Sequence, residues 1–491
     1  MTLPLFNGGV PGLSSGDQEL LTQLWRQLAA KWPRHQLRQR YYDRKYVLKD
    51  LGIAIPPSLK DLDTVLGWPA KAVDVLARRL NLDGFVIPGM SSDDLGIDTL
   101  WAENNFDLEA PQANTSALLH ACAFMAVTLG DTAAGEPKVL MTTQSAEHAT
   151  GLWDARRRRL RAALVIVDVD DMCRVSELVL ALPDRIVTIT RTDDRWDIRE
   201  VKHTLGRVPV EPLVYQPRLG RPFGSSRLTR SVLSLADSAL RTVVRSEVNA
   251  EFFAAPQRYA MGANEEAFQD AKGRPKGQWE SIIGRVWAIE RDENGDVPTV
   301  GQFPQVSMQP HVEQLRMWAQ LYAAETSLPV SSLGIIQDNP SSAEAIHAQM
   351  AELIIEAEYA ATTLGAGYRR AMLTALQLRD NLPSLPPEWL ALRAQWKDPA
   401  TPSKAAAADA VTKQVSAGIL PPDSEVTYEQ LGYDQTTIAR LVEDNRRAAA
   451  QQRLTALAAA ATAARQNPAV TALAARQDPA VTLEAGGGDS G

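Results

Sequence analysis

The chain has 491 residues, 45% of them hydrophobic and 22% charged, which is too long for one compact core, so two to four domains or subdomains are expected. Its 51 Lys and Arg against 59 Asp and Glu give a net charge of −8. That balance argues against a protein whose main work is gripping DNA phosphates, although not against one past which DNA moves. Cys122 and Cys173 are the only cysteines and show no CxxC or Cys/His spacing, so neither a disulfide framework nor a zinc site is expected, and a reducing compartment is.

The first residues, Met1 to Gly16, lack a basic region followed by an apolar core, so secretion is not expected. The most apolar stretch, Ala117 to Gly130, is shorter than the roughly 20 residues a spanning helix needs, and no membrane role is expected. Residues 17–50 read as helical, with Leu20, Leu24 and Leu28 on one face. Asp61 to Leu80 is a second helical region, bent at Trp68-Pro69, leading into the apolar run Gly84 to Pro88, and Trp101 to Gly130 reads as a further helix with an Ala-rich face. From Pro137 to Pro212 the pattern changes to short β-like runs, at Lys138 to Thr143, Ala162 to Val169, Arg185 to Thr190 and Trp196 to His203. Strands gathered after helices indicate an α+β class. The Gly- and Pro-dense stretches Leu205 to Pro212 and Gly220 to Ser226 read as a boundary.

Leu228 to Phe253 is an amphipathic helix ~39 Å long, ended by Pro256. The insert that follows, Gln257 to Met308, carries an expected strand at Arg285 to Glu290 and a hairpin turn at Asn294-Gly295, residues that tolerate positive φ. Gln309 to Ala324 returns as a helix. Thr326 to Asn339, with Asp338 its only charge, reads as an ordered but mobile loop. Ser341-Ser342-Ala343-Glu344 is a capping box opening a helix that reaches Arg379, ~57 Å if unbroken, with a kink expected at Gly365 and Gly367. Pro386 to Leu454 reads as helical with Pro-rich joints. In the tail Arg465-Gln466-Asn467-Pro468-Ala469-Val470-Thr471 recurs eleven residues later as Arg476-Gln477-Asp478-Pro479-Ala480-Val481-Thr482. Two copies make no solenoid, and residues 441–491 are expected to be disordered or transiently helical.

Catalytic chemistry finds little support. No Gly-Lys-Ser or Gly-Lys-Thr is present, so a Walker A loop, and with it an ATP-driven motor, is not expected. Gly12-Leu13-Ser14-Ser15-Gly16 matches a nucleophile-elbow pattern but precedes a first helix that Ser15 or Asp17 is expected to cap. Asp292, Asn294 and Asp296 start like a calcium loop, yet Val297 and Phe303 stand where Gly and Glu belong. The six histidines show no HExxH pairing, Asp168, Asp170 and Asp171 read as a solvated strand end, and the Arg156 to Arg159 run reads as a solvated or subunit-contact face. No catalytic residue, cofactor or metal is expected.

The order of elements resembles the portal proteins of tailed bacteriophages, in the form seen in long-tailed phages of actinobacteria. The resemblance rests on Trp68 to Phe85, Leu205 to Val210, Gly224-Ser225-Ser226, Phe252 to Gly262, Leu328-Pro329-Val330-Ser331-Ser332-Leu333-Gly334 and Leu431-Gly432-Tyr433, and it covers most of residues 20–445. It implies a mostly α-helical α+β portal-type fold: wing at 1–227, stem helices at 228–253 and 309–325, a small α/β clip at 254–308 and a tunnel loop at 326–341. A long wing and crown helix with a helical C-terminal region would fill 342–440. It further implies a non-enzymatic ring, usually of twelve subunits, at one capsid vertex of the virion, assembled in the host cytoplasm. Double-stranded DNA would pass through without sequence specificity. The implied partners are the terminase large subunit, major capsid and scaffolding proteins and a head-tail adaptor. The tunnel loop places Ser331, Ser332, Gly334, Ile335, Ile336, Gln337, Asp338 and Asn339 at the channel. The clip offers Lys272, Arg274, Lys276, Asn294 and Gly295 for docking. The competing readings are a terminase-like packaging enzyme and a smaller connector or minor capsid protein.

Overall fold

The computed structural model describes residues 3–6, 9–48, 64–90, 93–192, 195–254, 258–261, 297, 299–302, 307–335, 343–400 and 404–466. The chain forms two compact units, Met1–Ala400 and Thr401–Gly491. The architecture is α+β, with helix predominating.

Helix α1 (Ser15–Tyr42) is capped by Ser14, whose hydroxyl accepts from the Asp17 amide at 3.2 Å, rather than by Ser15 or Asp17. Asp17 is instead buried and paired with Arg185 at 2.8 Å. Leu21, Leu24 and Leu28 pack α1 onto a five-stranded antiparallel sheet in sequence order, β4 (Ala149–Asp154), β5 (Arg159–Val169), β6 (Val175–Ala181), β7 (Arg185–Thr192) and β8 (Arg195–Lys202). Alternation along β5 decides both faces: Ala162, Leu164 and Ile166 meet α1, while Ala163 and Val165 meet Phe124 and Val210 of a second sheet.

That second sheet has the order β3 (Val139–Ser145), β2 (Cys122–Leu129), β9 (Val210–Val214), all antiparallel. β2 corrects the expected helix over Trp101 to Gly130. The chain there forms α3 (Ile97–Glu103) and α4 (Phe106–His120), stops at Ala121 with φ +87°, and continues as a central strand. A strand buried on both faces is a continuous apolar run that periodicity cannot separate from a buried helix. Ala123, Met125 and Val127 face the main core, and Cys122, Phe124 and Ala126 face the five-stranded sheet. β9 lies inside the expected boundary stretch. Its Pro212 is tolerated because β9 pairs only with β2, leaving an edge that needs no donor.

Pro69 lies in the first turn of α2 (Trp68–Ala77) and so starts that helix rather than bending one. β1 (Leu82–Val86) pairs antiparallel with β12 (Arg393–Trp396), a strand within the region expected to be helical. Helices α5 (Arg230–Ala254), α6 (Gln309–Thr326) and α7 (Ala343–Arg379) follow the sequence expectation closely. The capping box before α7 lies partly outside the described residues. α7 runs as one helix through Gly365 and Gly367, so neither glycine ends it. These glycines permit close approach instead: a Cβ on Gly367 would stand 2.8 Å from the Pro212 carbonyl oxygen, and one on Gly365 3.0 Å from Trp396 Nε1. Tyr368, the fully buried residue after Gly367, donates to the Ala110 carbonyl or Asn114 Oδ1, at 3.1 and 2.9 Å, joining α7 to α4.

The second unit contains α8 (Lys404–Ser416), α9 (Glu425–Gln430) and α10 (Gln435–Gln466). α10 carries helix well into the segment expected to be disordered, and residues 448–460 are exposed on every side. Ala-rich composition sustains such a helix, since Ala loses no side-chain entropy on ordering. The repeat beyond it lies outside the described residues.

Candidate functional site: a helix pair and its buried base

α5 and α6 lie side by side and antiparallel. Ser231 meets Glu325, Thr242 meets Gln314 at 3.3 Å and receives the Trp318 indole N–H at 3.2 Å, and Asn249 reaches Met308 Sδ at 3.4 Å. Partners thus rise along one helix as they fall along the other. Val232, Ala236 and Ala239 of α5 and Ala319, Tyr322 and Ala323 of α6 bury the near end in the main core, while Val244 and Val248 pack with Leu48. Val312, Met317 and Leu321 of α6 and Ile355 and Tyr359 of α7 remain 42–64% exposed, large apolar groups without cover in the isolated chain.

At the far end of the pair, β10 (Arg258–Met261) joins β11 (Thr299–Gln302) antiparallel, Arg258 opposite Gln302 and Met261 opposite Thr299, closing the intervening insert at its base. This strand pair was not legible in the sequence. Lys272, Arg274, Lys276, Asn294 and Gly295 lie outside the described residues, as do the expected strand Arg285 to Glu290 and the calcium-like Asp292 and Asp296.

The near end is organised by Arg227, three residues before α5. Its side chain is 3% exposed and contacts three helices and Tyr215, the residue after β9. Nη1 pairs with Glu356 Oε1 of α7 at 2.7 Å and with the Tyr215 hydroxyl at 3.3 Å, Nε donates to the Ala72 carbonyl of α2, and Nη2 donates to the Thr326 carbonyl at the end of α6. Tyr215 in turn donates to Glu356. The backbone is fixed as well: the Arg227 amide donates to the Leu118 carbonyl at 2.9 Å, and Ser226 Oγ donates to Leu119 at 2.6 Å. Burial disfavours the Arg227 charge, but Tyr215 and Glu356 outweigh it and hold the guanidinium above its ordinary range. Burial also pushes the Tyr215 phenol up, against the pull of Arg227. A guanidinium is suited to this post because its five donors diverge in one plane toward several acceptors.

The expected channel loop begins where α6 ends. Ser327 adopts φ +51°, and Val330–Leu333 forms one 3₁₀ turn ending at Gly334 with φ +86°. Leu328 and Leu333 are buried in the main core, with Val330 and Ile335 packed against it. Ser331 and Gly334 are exposed, and Ser332 and Ile335 are half-buried. The first half of the loop is therefore anchored, in place of the mobility expected of it. Ile336, Gln337, Asp338 and Asn339 lie outside the described residues.

Other candidates resolve locally. Asp170 caps a turn, accepting from the Met172 and Arg174 amides at 3.0 and 2.8 Å, and Asp168 accepts from Ser176 at 2.6 Å. Arg156 to Arg158 occupy the exposed β4–β5 turn, where Asp154 accepts two amides. The fold brings His35 of α1 against His120, ring centroids 5.1 Å apart, with His120 Nε2 3.6 Å from Glu147. Spacing in the sequence carried no trace of that pair, which lies 85 residues apart in the chain. Among the described residues no group of three or more His, Cys, Asp or Glu is placed to hold a metal, and no helix is long and apolar enough to cross a membrane.

Portal proteins of Mycobacterium phage L5 and Mycobacterium phage D29 are 29% and 28% identical to this chain over 380 and 400 residues, covering 76% and 80% of it and 77% and 81% of those proteins. Among solved structures, a chain from the virion of a native gene transfer agent particle overlaps with a TM-score of 0.39 at 14% identity, covering 74% of this chain and 89% of that one. A chain from the neck of the empty particle, computed with C6 symmetry, gives 0.40 at 13% identity with the same coverage. At that overlap the matches speak to neither subunit number nor partners. The profile of the family described as phage portal protein, SPP1 Gp6-like, matches residues 21–440, and the chain belongs to that family of phage portal proteins.

Proposed function

We propose that this portal protein acts as a non-enzymatic closed ring of twelve subunits at one capsid vertex of the virion, with α5 and α6 as the stem around an axial channel for double-stranded DNA. Residues 1–227 form the wing, 254–308 the clip, 326–341 the tunnel loop and 342–440 the long helix and crown. The clip, through Lys272, Arg274, Lys276, Asn294 and Gly295, docks the terminase large subunit during packaging and a head-tail adaptor afterward. The wing meets major capsid and scaffolding proteins as the ring assembles in the host cytoplasm.

The antiparallel α5/α6 pair carries this reading: it is locked at its base by Arg227 and closed at its tip by β10 and β11. Charge supports it, since residues 228–253 hold three basic and three acidic groups and residues 309–324 one of each, a wall that neither traps nor repels a polyanion. The exposed apolar groups of α6 and α7 suit the head-to-tail contacts of a cyclic ring, in which each subunit covers its neighbour. Shortening the loop between Gly334 and Asp338 abolishes DNA packaging while rings still form, as scored by electron microscopy and a nuclease-protection packaging assay. Normal packaging by that deletion overturns the tunnel-loop role, and a sedimentation mass near that of one 53.6 kDa chain overturns the ring.

A further inference from the structure

The arginine run at the β4–β5 turn takes no part in the stem, yet the fold extends it. Arg159, the first residue of β5, and Arg370 of α7 lie within electrostatic reach of Arg207, in the loop before β9. Arg370 and Arg393 of β12 lie within reach of Arg369. Five guanidinium groups from four separate elements thus make a ridge in which each lies within electrostatic reach of another, Arg369 and Arg393 sharing the Leu392 carbonyl. Sequence shows no such cluster, since its members span more than 230 positions.

The ridge is poorly neutralised. Glu211 accepts from Arg370 Nε at 2.9 Å and lies in the charge environment of Arg207, Asp154 lies in that of Arg159, and the charged neighbours of Arg369 are Arg370 and Arg393. The remaining partners are neutral. Arg207 Nη2 donates to Gln377 at 3.0 Å while its buried Nε has no hydrogen-bond partner. Arg369 donates to the Leu390 and Leu392 carbonyls, and Arg393, exposed, shares Leu392 at 3.3 Å. Burial pulls the Arg207 guanidinium below its ordinary value, partly offset by Glu211, with Arg159 and Arg370 adding repulsion. A protein of net charge −8 that gathers five arginines around two acids, Glu211 and Asp154, leaves a site that gains free energy when a polyanion arrives.

Location separates this surface from the stem. Glu356, the α7 partner of Arg227, and Arg370 are fourteen residues apart on one unbroken helix, ~21 Å along its axis. The stem can therefore stay neutral while the ridge is strongly basic.

We propose that this ridge binds the phosphate backbone of double-stranded DNA, without sequence preference, on the body of the subunit and apart from the channel. DNA is the polyanion favoured here because guanidinium matches phosphate in a bidentate fork, and because DNA is present wherever a portal works. The second reason rests on the portal reading above. Bound phosphate supplies counter-charge to Arg369 and adds to the single Glu211 that Arg207 shares with Arg370, and releases counterions as it does so.

The test uses assembled rings of the full chain and a fluorescein-labelled 40-base-pair duplex of random sequence, with anisotropy followed across a salt series. The variant Arg156→Gln/Arg159→Gln/Arg393→Gln is compared with Arg195→Gln/Arg199→Gln/Lys202→Gln, which removes the same charge from exposed positions on β8. The ridge variant weakens binding at least tenfold at low salt and lowers the slope of log affinity against log salt by about 0.9 for each phosphate it no longer neutralises. The β8 variant changes affinity less than threefold. Equal binding by wild type and ridge variant overturns the proposal, as does poly-glutamate displacing the duplex better than unlabelled DNA of equal charge, which would mark a site for an acidic protein. Loss of rings in the ridge variant alone overturns it too, identifying a subunit interface. Absence of rings in the wild type instead strikes at the portal reading.

Discussion

Arg227 and Glu356, 129 positions apart in the chain, form an ion pair at 2.7 Å in which the arginine is 3% exposed and the glutamate 17%. The pair lies where the end of α6, the start of α5, α2 and the middle of α7 converge, so it couples the base of the stem to the body of the subunit. Removing one partner leaves the other charge buried without compensation, at a cost of ~3–5 kcal/mol, whereas replacing both with apolar groups of similar volume is often nearly neutral. Arg227→Met is therefore expected to lower the melting temperature by several degrees, and Arg227→Met/Glu356→Leu to recover much of that loss. Melting curves of the single and double variants measure the coupling. A double variant no more stable than Arg227→Met would show that the carbonyl contacts to Ala72 and Thr326, rather than the ion pair, dominate.

Gly367→Ala tests the close approach of α7 to β9. The added methyl would stand 2.8 Å from both the Pro212 carbonyl oxygen and Leu213 Cδ2, and the oxygen belongs to backbone that cannot swing aside. Destabilisation of about 1–3 kcal/mol is expected despite the better helix propensity of alanine. At Gly365 the neighbours are side-chain atoms of Trp396 and Ala394, at 3.0 and 3.4 Å, so Gly365→Ala is expected to cost less. Denaturant unfolding of both variants ranks them.

Acid sensitivity follows from His35 and His120. Burial lowers the His35 pKa to about 3, with Arg38, Lys31 and Arg34 adding repulsion, and burial holds His120 well below its ordinary value. Each is neutral when folded and titrates near 6.5 when unfolded, so the unfolded state binds more protons at intermediate pH. Stability from His35 is complete above pH ~6.5 and is lost at up to ~1.4 kcal/mol per unit as pH falls toward 3. Glu147, whose carboxyl is raised by burial, acts in the opposite direction. The comparison must therefore be made between wild type and His35→Gln, whose stability is expected to fall less steeply from pH 7 to 5. Parallel curves for the two would remove His35 from the account.

The thiols separate by environment. Cys122 is buried on β2 and burial pushes it up to about 12, whereas Cys173 is exposed in a turn. Ellman's reagent at pH 8 is expected to modify one thiol per chain rapidly and the second only in denaturant. Cys173→Ser should abolish the fast phase.

Where a helix turned one apolar stripe toward a single core, as in α1, α5 and α6, its pattern of three and four was plain in the residues, and the boundaries of α5 and α6 followed within two positions, whereas α1 ends at Tyr42, eight residues short of the expected end. The strands β7 and β8 were legible as β-like runs for the same reason, and β5, covered on both faces, as a short apolar run between polar turns. β2, β9 and β12 were not. β2 is covered on both faces and lost its alternation, β9 carries Pro212 at an edge, and β12 takes its partner β1 from more than 300 positions away.

The ordered run of helix, insert, helix, loop and long helix could be read from the chain alone, because each element's identity depends on neighbours within a few turns, and it sufficed to suggest the family. What surrounds Arg227, Gly367, His35 and the arginine ridge was decided only by folding. Glu356, Pro212 and His120 lie 129, 155 and 85 positions from the first three and the ridge spans 234, and the energetics of a buried charge, a missing Cβ or a like-charge cluster depend on what the tertiary structure sets beside them.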